Sequence, residues 1–193
     1  MKQHFRQEVF KSVTTLQQIA GDDGLAALVE ELTKVCCTAL RAGKKILLAG
    51  NGGSAADAQH LAGELVSRLN FDRPGLAAFA LTTDTSVLTA VGNDYGYEKV
   101  FARQIDAVGS AGDVFIAIST SGRSPNILRA LEECRRKGIV TIGFTGTPGG
   151  VMPDLCDYCV RVPSSVTPKI QEGYIVLGHI LCGLIECEMF RGD

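Results

Sequence analysis

The chain has 193 residues, enough for one well-filled α/β domain and too few for two ordinary ones. With 46% hydrophobic and 21% charged residues it falls outside the disordered and fibrous classes, and a formal net charge of −2 provides no basic surplus to hold a nucleic-acid backbone. Met1 to Ala20 lack the unbroken apolar core of a signal peptide, and no run approaches the roughly 20 apolar residues that span a bilayer, so the expected address is the cytosol, with no membrane partner.

In chain order, Phe5, Val9, Val13, Leu16 and Ala20 recur at helical spacing. After Gly21-Asp22-Asp23-Gly24 so do Leu25, Leu28, Leu32, Val35 and Ala39, which predicts an N-terminal helical hairpin. Beyond Gly43 the pattern changes to short apolar runs, Lys45 to Ala49, Ala77 to Leu81, Asp113 to Ile118 and Ile139 to Phe144, each followed by a glycine- or hydroxyl-rich turn and a helical stretch. These are buried parallel strands with crossover helices. A fifth strand near Tyr158 to Val162 precedes a last helix, expected to be capped by Thr167, to carry Pro168 in its first turn and to run to about Met189.

That last helix is apolar around most of its circumference, through Ile170, Ile175, Val176, Leu177, Ile180, Leu181, Leu184 and Ile185, and so calls for burial on most sides. A domain of this size rarely covers both such a helix and the hairpin, so a homo-oligomer is expected. Gly173, Gly178 and Gly183 point to close backbone approach to a neighbour. The seven cysteines are scattered through apolar stretches, as expected of reduced core thiols. Cys156-Asp-Tyr-Cys159 has redox-motif spacing, but it reads as strand, where positions three apart face opposite sides, so buried strand cysteines are expected.

Two strand ends carry the chemistry. Asp113 to Ile118 runs into Ser119-Thr-Ser-Gly-Arg-Ser-Pro-Asn126, where Pro125 suits a first helical turn and Ser124 its N-cap. Hydroxyls, backbone N–H groups and a positive helix end then converge on what reads as a phosphate cradle. With no Gly-Lys-Ser/Thr ending it is not a nucleotide P-loop, and a phosphate monoester is the expected ligand. The other strand end, Gly50-Asn51-Gly52-Gly53-Ser54, is a second glycine-rich turn with Ser54 as the expected cap. Gly50-x-Gly52-x-x-Ala55 also fits a loose dinucleotide fingerprint. The position for a ribose-binding acid, however, falls near Asn70 to Asp72, ahead of the next strand, which disfavours a nicotinamide or flavin site.

His60 and Glu64, four apart on the helix that follows, share a face, as do Gln171 and His179 on the last helix. Each pair alone reads more plainly as surface or core pairing. Together they offer two imidazoles, a carboxylate and an amide to a cation such as zinc. Asn93 and Asp94 fall in a polar break between helical stretches, either as turn formers or as hydrogen-bonding partners for a sugar chain.

The string Ala49-Gly-Asn-Gly-Gly-Ser-Ala-Ala-Asp-Ala-Gln-His60, with Glu64, Leu81-Thr-Thr-Asp84, Gly92-Asn-Asp-Tyr-Gly96, Ser119-Thr-Ser-Gly122 and Thr167-Pro-Lys-Ile-Gln-Glu172, resembles the phosphoheptose isomerase family of SIS-domain proteins. The resemblance spans almost the whole chain, in matching order and spacing. It implies one three-layer α/β domain over residues 1–193, with a five-stranded parallel sheet flanked by helices, a hairpin (1–42) packing in the oligomer and a long C-terminal helix. It also implies a homotetramer that converts D-sedoheptulose 7-phosphate into D-glycero-D-manno-heptose 7-phosphate through an enediol, for lipopolysaccharide or capsule. By the resemblance Asn51, Gly52, Gly53, Glu64, Asn93, Asp94, Ser119, Thr120, Ser121, Ser124 and Gln171 bind substrate. It makes His60, Glu64, Gln171 and His179 the ligands of one zinc ion per subunit, and Glu64 and His179 fit the family's proton-transfer roles. The chain departs from the family in having Tyr174 where many members carry histidine, and Lys169 where arginine is common. Competing expectations are a non-catalytic SIS protein that binds a replication initiator, disfavoured by Glu64 and His179, and an isomerase of another phosphosugar.

Overall fold

A computed structural model describes residues 1–191. Helices α1 (Lys2–Ala20) and α2 (Asp23–Arg41) form the expected hairpin, and the Asp22 side chain caps α2 by accepting from the Leu25 N–H at 2.9 Å. Five strands follow, β1 (Ile46–Ala49), β2 (Ala78–Ala80), β3 (Val114–Ile118), β4 (Val140–Gly146) and β5 (Tyr158–Val162). They are connected by α3 (Gly53–Val66), α4 (Thr85–Tyr95), α5 (Val100–Val108) and α6 (Pro125–Lys137), and α7 (Thr167–Phe190) closes the fold.

The sheet is parallel throughout, in the order β2-β1-β3-β4-β5. Alternation along each strand divides the core in two. Ile46, Leu48, Val114, Ile116 and Ile118 pack under α2, α3 and α7, while Leu47, Ala49, Phe115 and Ala117 pack under α4, α5 and α6. Three layers result. The chain leaves β1 for β2 on one side and returns to β3 on the other, so the carboxyl ends of β1 and β3 flank the point where strand order reverses. Ligands of open α/β sheets bind in that crevice. At the opposite edge the buried Asp113 carboxylate joins the same two strands, pairing with Lys45 Nζ at 2.6 Å and accepting from the Lys45 and Ser110 N–H groups.

Three local expectations are corrected. Val166, not Thr167, is the N-cap of α7, and no side-chain cap bond forms there; Thr167 is already helical. The glycines of α7 meet neighbours within the same chain, because a Cβ on Gly178 would lie 2.7 Å from Leu61 Cδ2 and one on Gly173 would press on Val162. Cys156 lies ahead of β5, so the cysteine pair is not spaced along one strand, and both sulfurs flank Gly143. Burial pushes the Cys156 thiol up to about 12 and raises that of Cys159, which keeps both protonated and unreactive near neutral pH.

Contrary to the expectation that no segment approaches a span, α7 is long and apolar enough to cross a membrane by length and composition, yet it packs as a core helix, with Leu177, Leu181 and Ile185 buried against the sheet side that α2 and α3 also cover. The first helix is different. Phe5 and Phe10 are 69% and 67% exposed, and Val9 and Val13 are exposed beside them.

Candidate active site

The loop from β1 into α3 makes its turn at Gly52, whose φ of 57° suits glycine, and α3 begins at Gly53. Ser54 is therefore inside the helix and buried rather than its cap. Asn51 is fixed from the side: its amide donates to Asn126 Oδ1 at 2.9 Å, Asn126 Nδ2 donates back to Asn51 Oδ1 at 2.8 Å, and the Tyr97 hydroxyl donates to the same oxygen at 3.2 Å. This reciprocal amide pair ties the glycine loop to the start of α6, and Asn126, which also accepts from the Ile127 N–H, was not singled out by sequence. The only sequence signal for it was its place directly after Pro125.

On the neighbouring strand end, Ser119 Oγ and Ser124 Oγ lie 2.9 Å apart, and Ser121 Oγ accepts from the Arg123 N–H. Ser124 is the N-cap of α6 by position, but its hydroxyl is turned to Ser119 instead of to the helix. The Thr120 carbonyl accepts from the Gly146 N–H and Thr145 hydroxyl, which fixes the loop to β4. Gly122 has φ of 59°, and a Cβ there would collide with the Gly149 carbonyl, so the turn is specific to glycine. Hydroxyls and the positive end of a 13-residue helix thus share one pocket edge.

Asn93 and Asp94 are not in a break; they form the last full turn of α4, exposed, with Asn93 Nδ2 donating to Asp94 Oδ1 at 2.8 Å. The break comes at Gly96, φ 91°. Asp84, within the quoted Leu81-Thr-Thr-Asp84 segment, caps α4 by accepting from the Val87 N–H.

Helices α3 and α7 bring His179 to His60 and Glu64, while Gln171 meets α3 at its start. The Gln171 amide sits against Gly53 at the start of α3, Gly178 lets α7 close on Leu61, and His179 Nε2 comes within 2.7 Å of His60 Nε2. Contacts advance along both helices together, so α3 and α7 run in the same direction. His60 Nε2 is also 3.2 Å from Glu64 Oε1, and the three donor groups all lie within 4.8 Å of one another. Two imidazole nitrogens and a carboxylate oxygen this close together suit a divalent ion of zinc's type. One turn before His60, Asp57 keeps a buried Oδ2 without a hydrogen-bond partner among the described residues, and burial raises its carboxyl against the lowering influence of His60. Nearby, the buried Tyr174 hydroxyl is raised by burial, partly offset by Ser54.

A family model for the SIS domain matches residues 9–146. Phosphoheptose isomerase from Aneurinibacillus thermoaerophilus is 56% identical over 191 residues, covering 99% of this chain and 96% of that protein. Phosphoheptose isomerase 2 from Campylobacter jejuni is 59% identical over 179 residues, covering 93% and 89%. Among solved structures, phosphoheptose isomerase from Neisseria gonorrhoeae superposes with a TM-score of 0.89 at 38% identity, covering 96% of this chain and 98% of that one. One from Francisella tularensis gives 0.91 at 35% identity, covering 95% and 96%. Sheet order, switch-point loops and family match define an SIS-domain protein of the sugar-phosphate isomerase class. Within that class the chain belongs to the phosphoheptose isomerase family.

Proposed function

We propose that the chain isomerises D-sedoheptulose 7-phosphate to D-glycero-D-manno-heptose 7-phosphate, an aldose–ketose interconversion that supplies activated heptose for lipopolysaccharide or capsule. The observation that supports the mechanism is the meeting of His60, Glu64 and His179 on α3, the helix that rises from the glycine-rich loop, and α7. The phosphate binds at Ser119, Thr120, Ser121 and Ser124, where hydroxyls and the α6 dipole favour an anion. Asn51, Gly52, Gly53, Asn93, Asp94 and Gln171 orient the sugar chain. Glu64 moves the proton between C1 and C2, and His179 serves the oxygen that gains or loses the second proton as the enediol forms and collapses. Zinc held by His60, Glu64, Gln171 and His179, one ion per subunit, would supply Lewis acidity at that oxygen.

A homotetramer in the cytoplasm, with α1 packing between subunits, is part of the same reading and is supported by the exposed apolar residues of α1. The regulatory alternative is disfavoured because both proton-transfer candidates are present and adjacent. Purified protein incubated with sedoheptulose 7-phosphate should form heptose 7-phosphate, and Glu64→Gln and His179→Gln should each lower kcat by about 100-fold or more. Full turnover by both variants would remove the mechanism, and turnover of another phosphosugar in preference would reassign the substrate. Metal analysis before and after chelation checks the ion separately.

A further inference from the structure

We infer that Arg73, clasped to Glu186, is a positioning residue that holds Glu64 and His179 at reacting distance; the inference rests on the reading of Glu64 as the base. The Glu186 carboxylate is fully buried on α7 and accepts from the Leu69 N–H at 2.9 Å, the Asn70 N–H at 2.8 Å and Arg73 Nε at 3.1 Å. The guanidinium, 2% exposed, then turns to the end of α3, donating to the carbonyls of Glu64 at 2.7 Å and Leu65 at 2.6 Å, and to that of Pro74 at 3.1 Å.

Those α3 carbonyls belong to the last helical turn, which has no intrahelical donors left to satisfy it. Arg73 supplies them, joined at Leu65 by the Leu76 N–H at 3.1 Å, and one belongs to Glu64 itself. Glu186 lies seven residues after His179, two turns on along the same face of α7. The clasp therefore joins the backbone of the proposed base to the helix that carries the proposed acid, two turns from where His60 and His179 meet. Leu61 and Gly178 are packed too closely for the helices to approach further. Their remaining freedom is axial sliding, and a planar fork that donates to both helices restricts that. The phosphate cradle lies on other elements, and Gly53 and Gln171 stand at the starts of α3 and α7, away from the clasp, so its loss acts on the chemical step more than on substrate binding.

The test compares Arg73→Lys, which keeps the charge but loses the fork, with a double variant, Arg73→Met with Glu186→Leu, which leaves no unpaired buried ion. Ile105→Ala, a core change on the opposite side of the sheet, is the stability control. Kinetics are measured well below each thermal midpoint, with Glu64→Gln in parallel. In both Arg73 variants kcat should fall about tenfold or more, with KM within about threefold of wild type, while Ile105→Ala loses thermal stability and keeps its kcat. Either Arg73 variant, folded and with wild-type kcat, overturns the inference. So does failure of both to fold, which would make the pair a requirement of the fold and not of the site. Wild-type kcat in Glu64→Gln would instead overturn the reading of the base.

Discussion

The Glu186 carboxylate has no exposed surface, and desolvation by itself would raise its pKa above the ordinary 4.5. Hydrogen bonds from the Leu69 and Asn70 backbone and from Arg73 outweigh that and hold it below. A group depressed in the folded state contributes stability above its unfolded value and loses it as pH falls through the folded one. The thermal midpoint of wild type should therefore exceed that of Glu186→Gln at neutral pH, with the gap closing as pH drops below about 4.5. A gap that persists unchanged at acid pH would place the contribution in packing and not in charge. Single residues were unevenly legible. His60, Glu64 and His179 stood out because interior histidines are scarce here, whereas Arg73, Glu186 and Asn126 look in sequence like any surface arginine, helix acid or turn amide. Only their partners reveal them.

Among the elements, β1 and β3 bear both loops of the candidate site and are tied at their opposite ends by Lys45 and Asp113. Removing the buried carboxylate leaves the Lys45 and Ser110 N–H groups without their acceptor. Asp113→Ala should cost about 2 kcal/mol, a value discounted because Lys45 stays partly exposed. That corresponds to a fall of about 4–8 °C in thermal midpoint, measurable by calorimetry. All five strands could be anticipated, because buried parallel strands read as short continuous apolar runs, but the helical stretch expected after the Ile139 to Phe144 run is absent: only a 3-10 turn, Met152–Asp154, leads from β4 to β5. Caps were harder. Thr167, Ser54 and Ser124 are all hydroxyl residues near helix starts, yet none makes the expected cap bond, since each start is set by the neighbouring turn and packing. Asn93 and Asp94 were misplaced for a related reason: turn-forming residues can occupy a helix end when the next glycine makes the break.

For the whole molecule, the outward face of α1 decides the expected assembly. Phe5, Val9, Phe10 and Val13 form an apolar surface that water would otherwise cover. If the proposed tetramer packs through this face, replacing Phe5 and Phe10 together by Asp should give smaller species in light scattering, with the secondary structure retained. An unchanged mass would assign those residues no part in assembly.

By itself, the sequence determined the hairpin, the five strands and their order along the chain, the last helix, the two loops at strand ends and the helical faces that carry His60 with Glu64 and Gln171 with His179. These are local consequences of periodicity and turn chemistry, in which each residue answers to neighbours a few positions away. The tertiary structure alone decided that α3 and α7 run side by side closely enough for His60 and His179 to touch, that Asn51 and Asn126 interlock, and that Arg73 reaches two helices at once. Those relations join positions far apart in the chain, and they depend on how closely side chains such as Leu61 and Gly178 allow two surfaces to approach, which no spacing along one segment encodes.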